Sequence, residues 1–270
     1  MSNNAMRYSG FGDRGVSQKH KKGKRGDRGG NNRIEKVLGE SSSCPKEKWD
    51  NHREHSQGVK VQGRTKNQKH FIHLMQSKEI VVCDAPAGVG KTYLMCAHAA
   101  NKLLTGEVTS IILCRPYASC GGTMGFNAGN LTEKIMPFML PMIGYLKEFL
   151  GANHVQYLMD IGKIEVVPFE VIRGRNFDNA VVLGDEIQSA DISSIQAVTT
   201  RMSSNCQLIL AGDKYQNDIK RGEDGMSYIK RILRTYEFGS AGICEMTMDD
   251  CQRNGTVREF LEAYNSEGWV

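Results

Sequence analysis

The stretch EIVVCDAPAGVGKTYL, residues 79–94, decides how the rest of the chain is read. An apolar run ends at Asp84, small residues follow at Ala87, Gly88 and Gly90, and then come Lys91, Thr92 and a long segment without proline. This order reads as a buried strand, a tight turn and a helix starting at about Gly90. Small residues let backbone N–H groups converge on a phosphate, and a helix N-terminus adds a favourable dipole. In such a P-loop, Ala87, Gly88, Val89, Gly90, Lys91, Thr92 and Tyr93 surround the nucleotide. Lys91 reaches the β- and γ-phosphates, and the Thr92 hydroxyl sits on Mg²⁺. The pattern G-x-x-x-x-G-K-[ST] asks for glycine where this chain has Ala85, so the first turn must accept a methyl group. The alternative is a chance glycine-rich turn in a dinucleotide or flavin fold.

With 270 residues, 40% of them apolar, the chain can bury a substantial core. Its positive charge is local. Residues 1–63 carry 14 Lys and Arg against 7 Asp and Glu, whereas the remainder carries 21 against 23. That first quarter is rich in Gly, Asn, Ser and Lys, includes KHKKGKRGDRGG at 19–30, and is expected to be a disordered basic tail. It serves either to contact nucleic acid phosphates or simply to keep the chain soluble. Cys44, His52 and His55 raise zinc as a question, but no CxxC pair accompanies them. Cysteines inside apolar runs, such as Cys83, Cys96 and Cys114, read as reduced core residues of a soluble, cytoplasmic protein. The sequence shows neither a signal peptide nor an apolar run of membrane-spanning length.

From Arg64 onward, short apolar runs alternate with helical patterns. Strands are expected at 79–84, 109–115, 163–169, 180–186, 206–213 and 241–247, and helices at 91–104, 131–150, 154–161, 191–203, 224–236 and 256–264, the last capped by Thr256. Such alternation implies an α/β domain over 64–270, with a mainly parallel sheet and helices on both faces.

Three further signals bear on chemistry. In AVVLGDEIQ an apolar strand ends in Asp185 and Glu186, suited respectively to holding Mg²⁺ through water and to polarising an attacking water. In AGDKYQ, Asp213 and Gln216 follow the next strand; Gln216 can detect a γ-phosphate, although Gly-Asp is also an ordinary turn pair. Gln68, in the amphipathic TKNQKHFIHLM, offers an amide to the adenine edge or is a surface residue.

Gln68 in TKNQ, APAGVGKTYL, RP at 115–116, GFNAGNLTEKIMPF at 125–138, RGR at 173–175, VVLGDEIQ at 181–188, GDKYQ at 212–216 and Arg253 together resemble the motif series of the PhoH-like family, phosphate-starvation-inducible ATPases. That family is similar to the nucleotide-binding half of superfamily 1 helicases. The resemblance implies a RecA-like core, ATP and Mg²⁺ as ligands, a cytoplasmic location and ring-shaped homo-oligomers. It spans about residues 64 to 265. On this reading Lys91, Glu186, Gln216 and Arg253 are catalytic, Thr92 and Asp185 hold the metal, and Gln68 selects adenine.

Ala85, and Gly184 just before Asp185, depart from the expected pattern in ways that could slow turnover. No second RecA-like domain is expected after residue 213, so an arginine completing the site would come from a neighbouring subunit. Arg253, Arg175, Arg173 and Arg201 are the candidates, and Arg253 could also act within its own chain. Gly121–Asn130 is expected to be a functional loop, and 131–150 a packing helix kinked at Pro137 and Pro141. Three functions fit: an ATPase working on RNA or single-stranded DNA, a small-molecule phosphotransferase, and an ATP-binding switch with negligible turnover.

Overall fold

The structure is a computed structural model that describes residues 59, 61–117, 131–214, 216, 223–253 and 255–267. The basic tail up to residue 58, the zinc candidates within it and the glycine loop at 121–130 lie outside these residues.

Six strands form one sheet: β1 (Ile80–Asp84), β2 (Ser110–Arg115), β3 (Ile164–Pro168), β4 (Ala180–Gly184), β5 (Gln207–Gly212) and β6 (Ala241–Glu245). Their order is β3-β2-β4-β5-β1-β6, and every pairing is parallel. Alternate residues feed opposite cores, as the two-residue period of a strand requires. Val81, Ile111, Leu113, Val181, Leu183 and Ile209 point to one side. Val82, Ile112, Val182, Leu208 and Leu210 point to the other.

The first face is covered by α1 (Lys66–Ser77), α2 (Lys91–Leu104), α3 (Leu131–Leu150) and α4 (Ala152–Asp160), the second by α5 (Ile192–Thr199) and α6 (Gly225–Thr235). A last helix, α7, spans Gly255–Ser266. Pro137 and Pro141 lie inside α3, which continues through both while burying Ile135, Met139, Met142, Ile143 and Leu146.

The expected elements are present: the strands, α5 and α6 are shorter than expected, α2 and α3 keep their bounds, α4 runs from 152 to 160 rather than 154 to 161, and α7 is longer at both ends. α5 stops at Thr199 rather than 203, and α7 starts at Gly255, which makes Thr256 an interior residue and not its cap. β4 ends at Gly184, two residues short of the expected end, so both acids lie beyond the sheet. The segment around Gln68 is a full helix, started by a capping box in which Thr65 and Gln68 bond each other's backbone N–H.

Gly184 owes its identity to packing. A β-carbon there would lie 2.6 Å from Leu210 Cδ2 and 2.8 Å from Phe169 Cζ. Gly184→Ala is therefore expected to destabilise the fold by about 1–3 kcal/mol through overpacking. The urea midpoint measures this, and an unchanged midpoint would contradict the packing role.

Candidate nucleotide-binding site

β1 and β4 lie on either side of β5, so the loops leaving their C-terminal ends are close neighbours. The first of these loops runs from Ala85 to Gly90. Ala85 donates its N–H to the Gly212 carbonyl at 2.9 Å, and its methyl group is buried in the core. Gly88 and Gly90 take positive φ, 83° and 86°, but Ala85 does not. The methyl group thus meets no backbone conflict, and the substitution requires no distortion of the turn.

Gly90 caps α2 without a side-chain hydrogen bond. The N–H groups of that helix's first turn have no intrahelical partners, which suits them to an anion. Lys91 is buried, and its ammonium donates to the loop's own Ala85 and Pro86 carbonyls at 3.1 and 3.4 Å. Gly88 also marks a close approach by the chain's end: a β-carbon there would lie 2.7 Å from Arg253 Cγ, and the Gly88 carbonyl accepts from Gln252 N–H at 3.0 Å. Arg253 therefore lies against the loop of its own chain.

Across β5, the Thr92 hydroxyl donates to Asp185 Oδ2 at 3.1 Å, while Asp185 Oδ1 accepts the Glu186 N–H. Asp185 is buried. Burial pushes its carboxyl pKa upward, the neighbouring Glu186 adds to this, and Lys91, Arg115 and the Thr92 hydrogen bond pull it back. A hydroxyl and one desolvated carboxylate fit Mg²⁺, which takes few protein ligands and completes its shell with water and phosphate. Among the described residues, no cluster of three or more His, Cys, Asp or Glu forms a closed metal cage.

The raised pKa means that the folded state holds the Asp185 proton more readily than the unfolded state. Stability is thus lost as pH rises through the folded-state value, and the ionised carboxylate is a burden at neutral pH. Asparagine can accept the Glu186 N–H through its oxygen and donate its amide N–H to the Thr92 hydroxyl, which reverses that bond. Asp185→Asn is expected to stabilise the metal-free protein by about 1 kcal/mol at neutral pH, with a smaller gain in mild acid. Urea midpoints at the two pH values test this; a variant less stable at both would refute it.

Glu186 adopts a left-handed backbone, φ 58° and ψ 38°. Its side chain accepts from Gln188 Nε2 at 2.6 Å and lies 3.8 Å from the Arg115 guanidinium. Arg115, at the end of β2, also donates to the Phe138 carbonyl of α3 at 3.1 Å. Gln216 follows the β5 loop, where its N–H donates to the Asp213 carbonyl at 3.0 Å.

Gln68 is buried rather than at the surface. Its amide oxygen accepts from the Arg64 and Thr65 N–H groups, and its Nε2 donates to the Val89 carbonyl at 2.9 Å. It joins Gly90, Tyr93, Leu94, Arg64 and Gln252 around a cavity of about 280 Å³ beside the P-loop. Tyr93 is steadied by the rings of Tyr145 and Phe149, at 5.4 and 5.1 Å.

Of the other arginines considered, Arg175 is ion-paired with Glu165 next to β3, and Arg173 is exposed four strands away from β1. Arg201 follows α5, where its carbonyl accepts the Phe177 N–H ahead of β4. Sequence reasoning assigned no role to Arg115, Gln188 or the buried ion pair of Lys230 with Asp84. Each depends on a partner distant in sequence, and Gln188 and Arg115 announce themselves only by belonging to recognisable motif strings.

A parallel sheet with a P-loop after β1 and an acidic pair after β4, with β5 alone between them, defines a P-loop NTPase. Residues 60–265 match the family described as PhoH-like protein, and the chain belongs to that family. It is 32% identical over 213 residues to "PhoH-like protein" of Bacillus subtilis (strain 168), covering 78% of this chain and 66% of the relative. It is 34% identical over 208 residues to "Protein PhoH" of Escherichia coli (strain K12), covering 76% and 58% respectively. The chain thus spans roughly three fifths to two thirds of these relatives' length. Among solved structures it is similar to the large terminase of a thermophilic bacteriophage in complex with ADP, at 14% identity and TM-score 0.45, covering 73% of this chain and 49% of that one.

Proposed function

We propose that this protein is a Mg²⁺-dependent ATPase whose turnover is coupled to binding RNA or single-stranded DNA, and that it works in the cytoplasm as a ring-shaped homo-oligomer. The observation that carries the ATPase reading is the contact between Thr92 and Asp185 with Glu186 beside it. It gathers a metal-holding pair and a general base at the mouth of the P-loop.

In this mechanism the Lys91 ammonium turns from the Ala85 and Pro86 carbonyls to the β- and γ-phosphates. Thr92 and Asp185 would hold Mg²⁺, which would supply neutralisation of phosphate charge. Glu186 orients a water for in-line attack and takes its proton. Arg253, already against Gly88, stabilises charge on the transferred phosphoryl group, and Gln216 senses whether the γ-phosphate is present. Adenine occupies the cavity beside Gln68 and Tyr93, whose walls are part polar and part apolar.

The nucleic acid part of the proposal draws on the basic first quarter of the chain and, secondarily, on a groove of about 660 Å³ beside the loop leading to Gln216, where Lys214, Arg231 and Arg234 are accompanied by Glu245 and both arginines are ion-paired, with Glu223 and Glu245 respectively. The deciding experiment is steady-state phosphate release with and without single-stranded RNA or DNA, comparing the full chain with one beginning at Arg64. Stimulation that weakens with salt and on removal of the tail supports the proposal. ATP turnover indifferent to every nucleic acid would leave a plain ATPase, and a product requiring a second acceptor would make it a phosphotransferase.

A further inference from the structure

Gln188 sits in the short turn Ile187–Ser189 after Glu186 and is 2% exposed. Its amide is used at both ends. Nε2 donates to Glu186 Oε2 at 2.6 Å, and Oε1 accepts the Asp213 N–H at 3.1 Å. A carboxylate can only accept and a backbone N–H can only donate, so a single amide orientation satisfies both partners. The fold makes room for this bridge: a β-carbon on Gly212 would collide with Gln188 Oε1.

The bridge is continuous with the loop after β5. The Asp213 carbonyl accepts the Gln216 N–H at 3.0 Å, and the next residue, Lys214, donates its N–H to Asp84 Oδ1 at 3.2 Å. Asp84 closes β1 immediately before the P-loop and is held by buried Lys230. One buried amide therefore connects the acid after β4 with the loop after β5, which is itself tied to the base of the P-loop.

We propose that Gln188 is a positioning residue that fixes the Glu186 carboxylate for water activation and couples it to the loop carrying Gln216, so that the arrangement of the base and the reading of the γ-phosphate change together. This rests on the ATPase reading above. With Oε2 engaged by the amide, Oε1, which faces the Arg115 guanidinium at 3.8 Å without a close hydrogen bond to it, is the oxygen that addresses water. A shift of Gln216 on contact with a γ-phosphate, passed to Asp213 through their hydrogen bond, pulls on the same amide, and hence on the base. Buried amide bridges of this kind are worth more as orienting devices than as stabilising ones, because each end leaves an unsatisfied group if the other moves.

The test uses the full chain with Gln188→Met, which keeps the volume and removes both hydrogen bonds, and Gln188→Glu, which sets a second carboxylate against Glu186. Two quantities are read: the rate of ATP hydrolysis, and the ratio of affinities for a non-hydrolysable ATP analogue and for ADP. Gln216→Ala serves as the reference for loss of γ-phosphate sensing. Hydrolysis by both Gln188 variants is expected to fall about 10- to 100-fold, the usual cost of losing an orienting partner, with ADP affinity unchanged. The affinity ratio of Gln188→Met should collapse to that of Gln216→Ala, and Gln188→Met combined with Gln216→Ala should lower the ratio no further.

Unchanged ADP affinity shows that the variants fold, and general damage would not move the analogue-to-ADP ratio selectively. Slower hydrolysis with a wild-type ratio would overturn the coupling, and wild-type values of both would overturn the whole inference. A wild-type protein that fails to hydrolyse ATP yet loses its affinity ratio in Gln188→Met would sink the ATPase reading while upholding the coupling. If the wild-type ratio equals that of Gln216→Ala, the coupling is refuted.

Discussion

Lys91→Ala is expected to lose ATP binding, with affinity falling roughly a hundredfold or more, about 3 kcal/mol. The reason lies in where the ammonium sits. It is buried at the start of α2 and bonded to the carbonyls of Ala85 and Pro86, at the beginning of the loop it serves. A phosphate entering the loop offers charged acceptors in place of neutral ones, so the exchange strengthens each bond. Alanine removes the charge and also frees two loop carbonyls, so the nucleotide loses a partner and the loop loses a tie. Calorimetric titration with ATP and with ADP measures the effect. Equal affinity in wild type and variant would mean that Lys91 holds the loop together and does not touch phosphate.

Glu186→Gln should separate binding from chemistry. Its ATP affinity is expected to stay within a few-fold of wild type while turnover drops by about 10²- to 10⁴-fold, the range associated with a general base. Its left-handed backbone, costly for a residue with a side chain, places this carboxylate beyond the end of β4. Glutamine keeps the size and can still meet Gln188 Nε2 through its carbonyl oxygen, but it cannot take a proton from water. Phosphate release under saturating ATP gives the answer. Wild-type turnover in this variant would remove Glu186 from the role of base.

Sequence alone revealed the features whose meaning is local. The P-loop is a run of consecutive residues whose types state their purpose, and Asp185 and Glu186 follow an apolar run that could only be a strand. Glycine at 184 looked like a flaw in that strand because the residues that demand it, Phe169 and Leu210, come from elsewhere in the chain. The bridge through Gln188 was hidden for the same reason: it exists only once β5 brings Asp213 alongside. Gln68 shows a subtler limit. Its three-residue spacing from Thr65 is a capping signature, yet attention to the adenine edge left the helix it starts unassigned. The expected strands run one or two residues past the observed ones, since the sheet stops where neighbouring strands stop pairing and not where side-chain character changes.

Ala85 bears on how such proteins are found. A search demanding glycine at the head of the loop would pass over this chain, although that residue has an ordinary backbone and a methyl group seated in the core. Gly88 and Gly90, with positive φ, are the positions where a pattern has physical grounds to be strict. Signatures weighted by backbone angle rather than by letter would admit chains like this one and still reject loops that cannot make the turn.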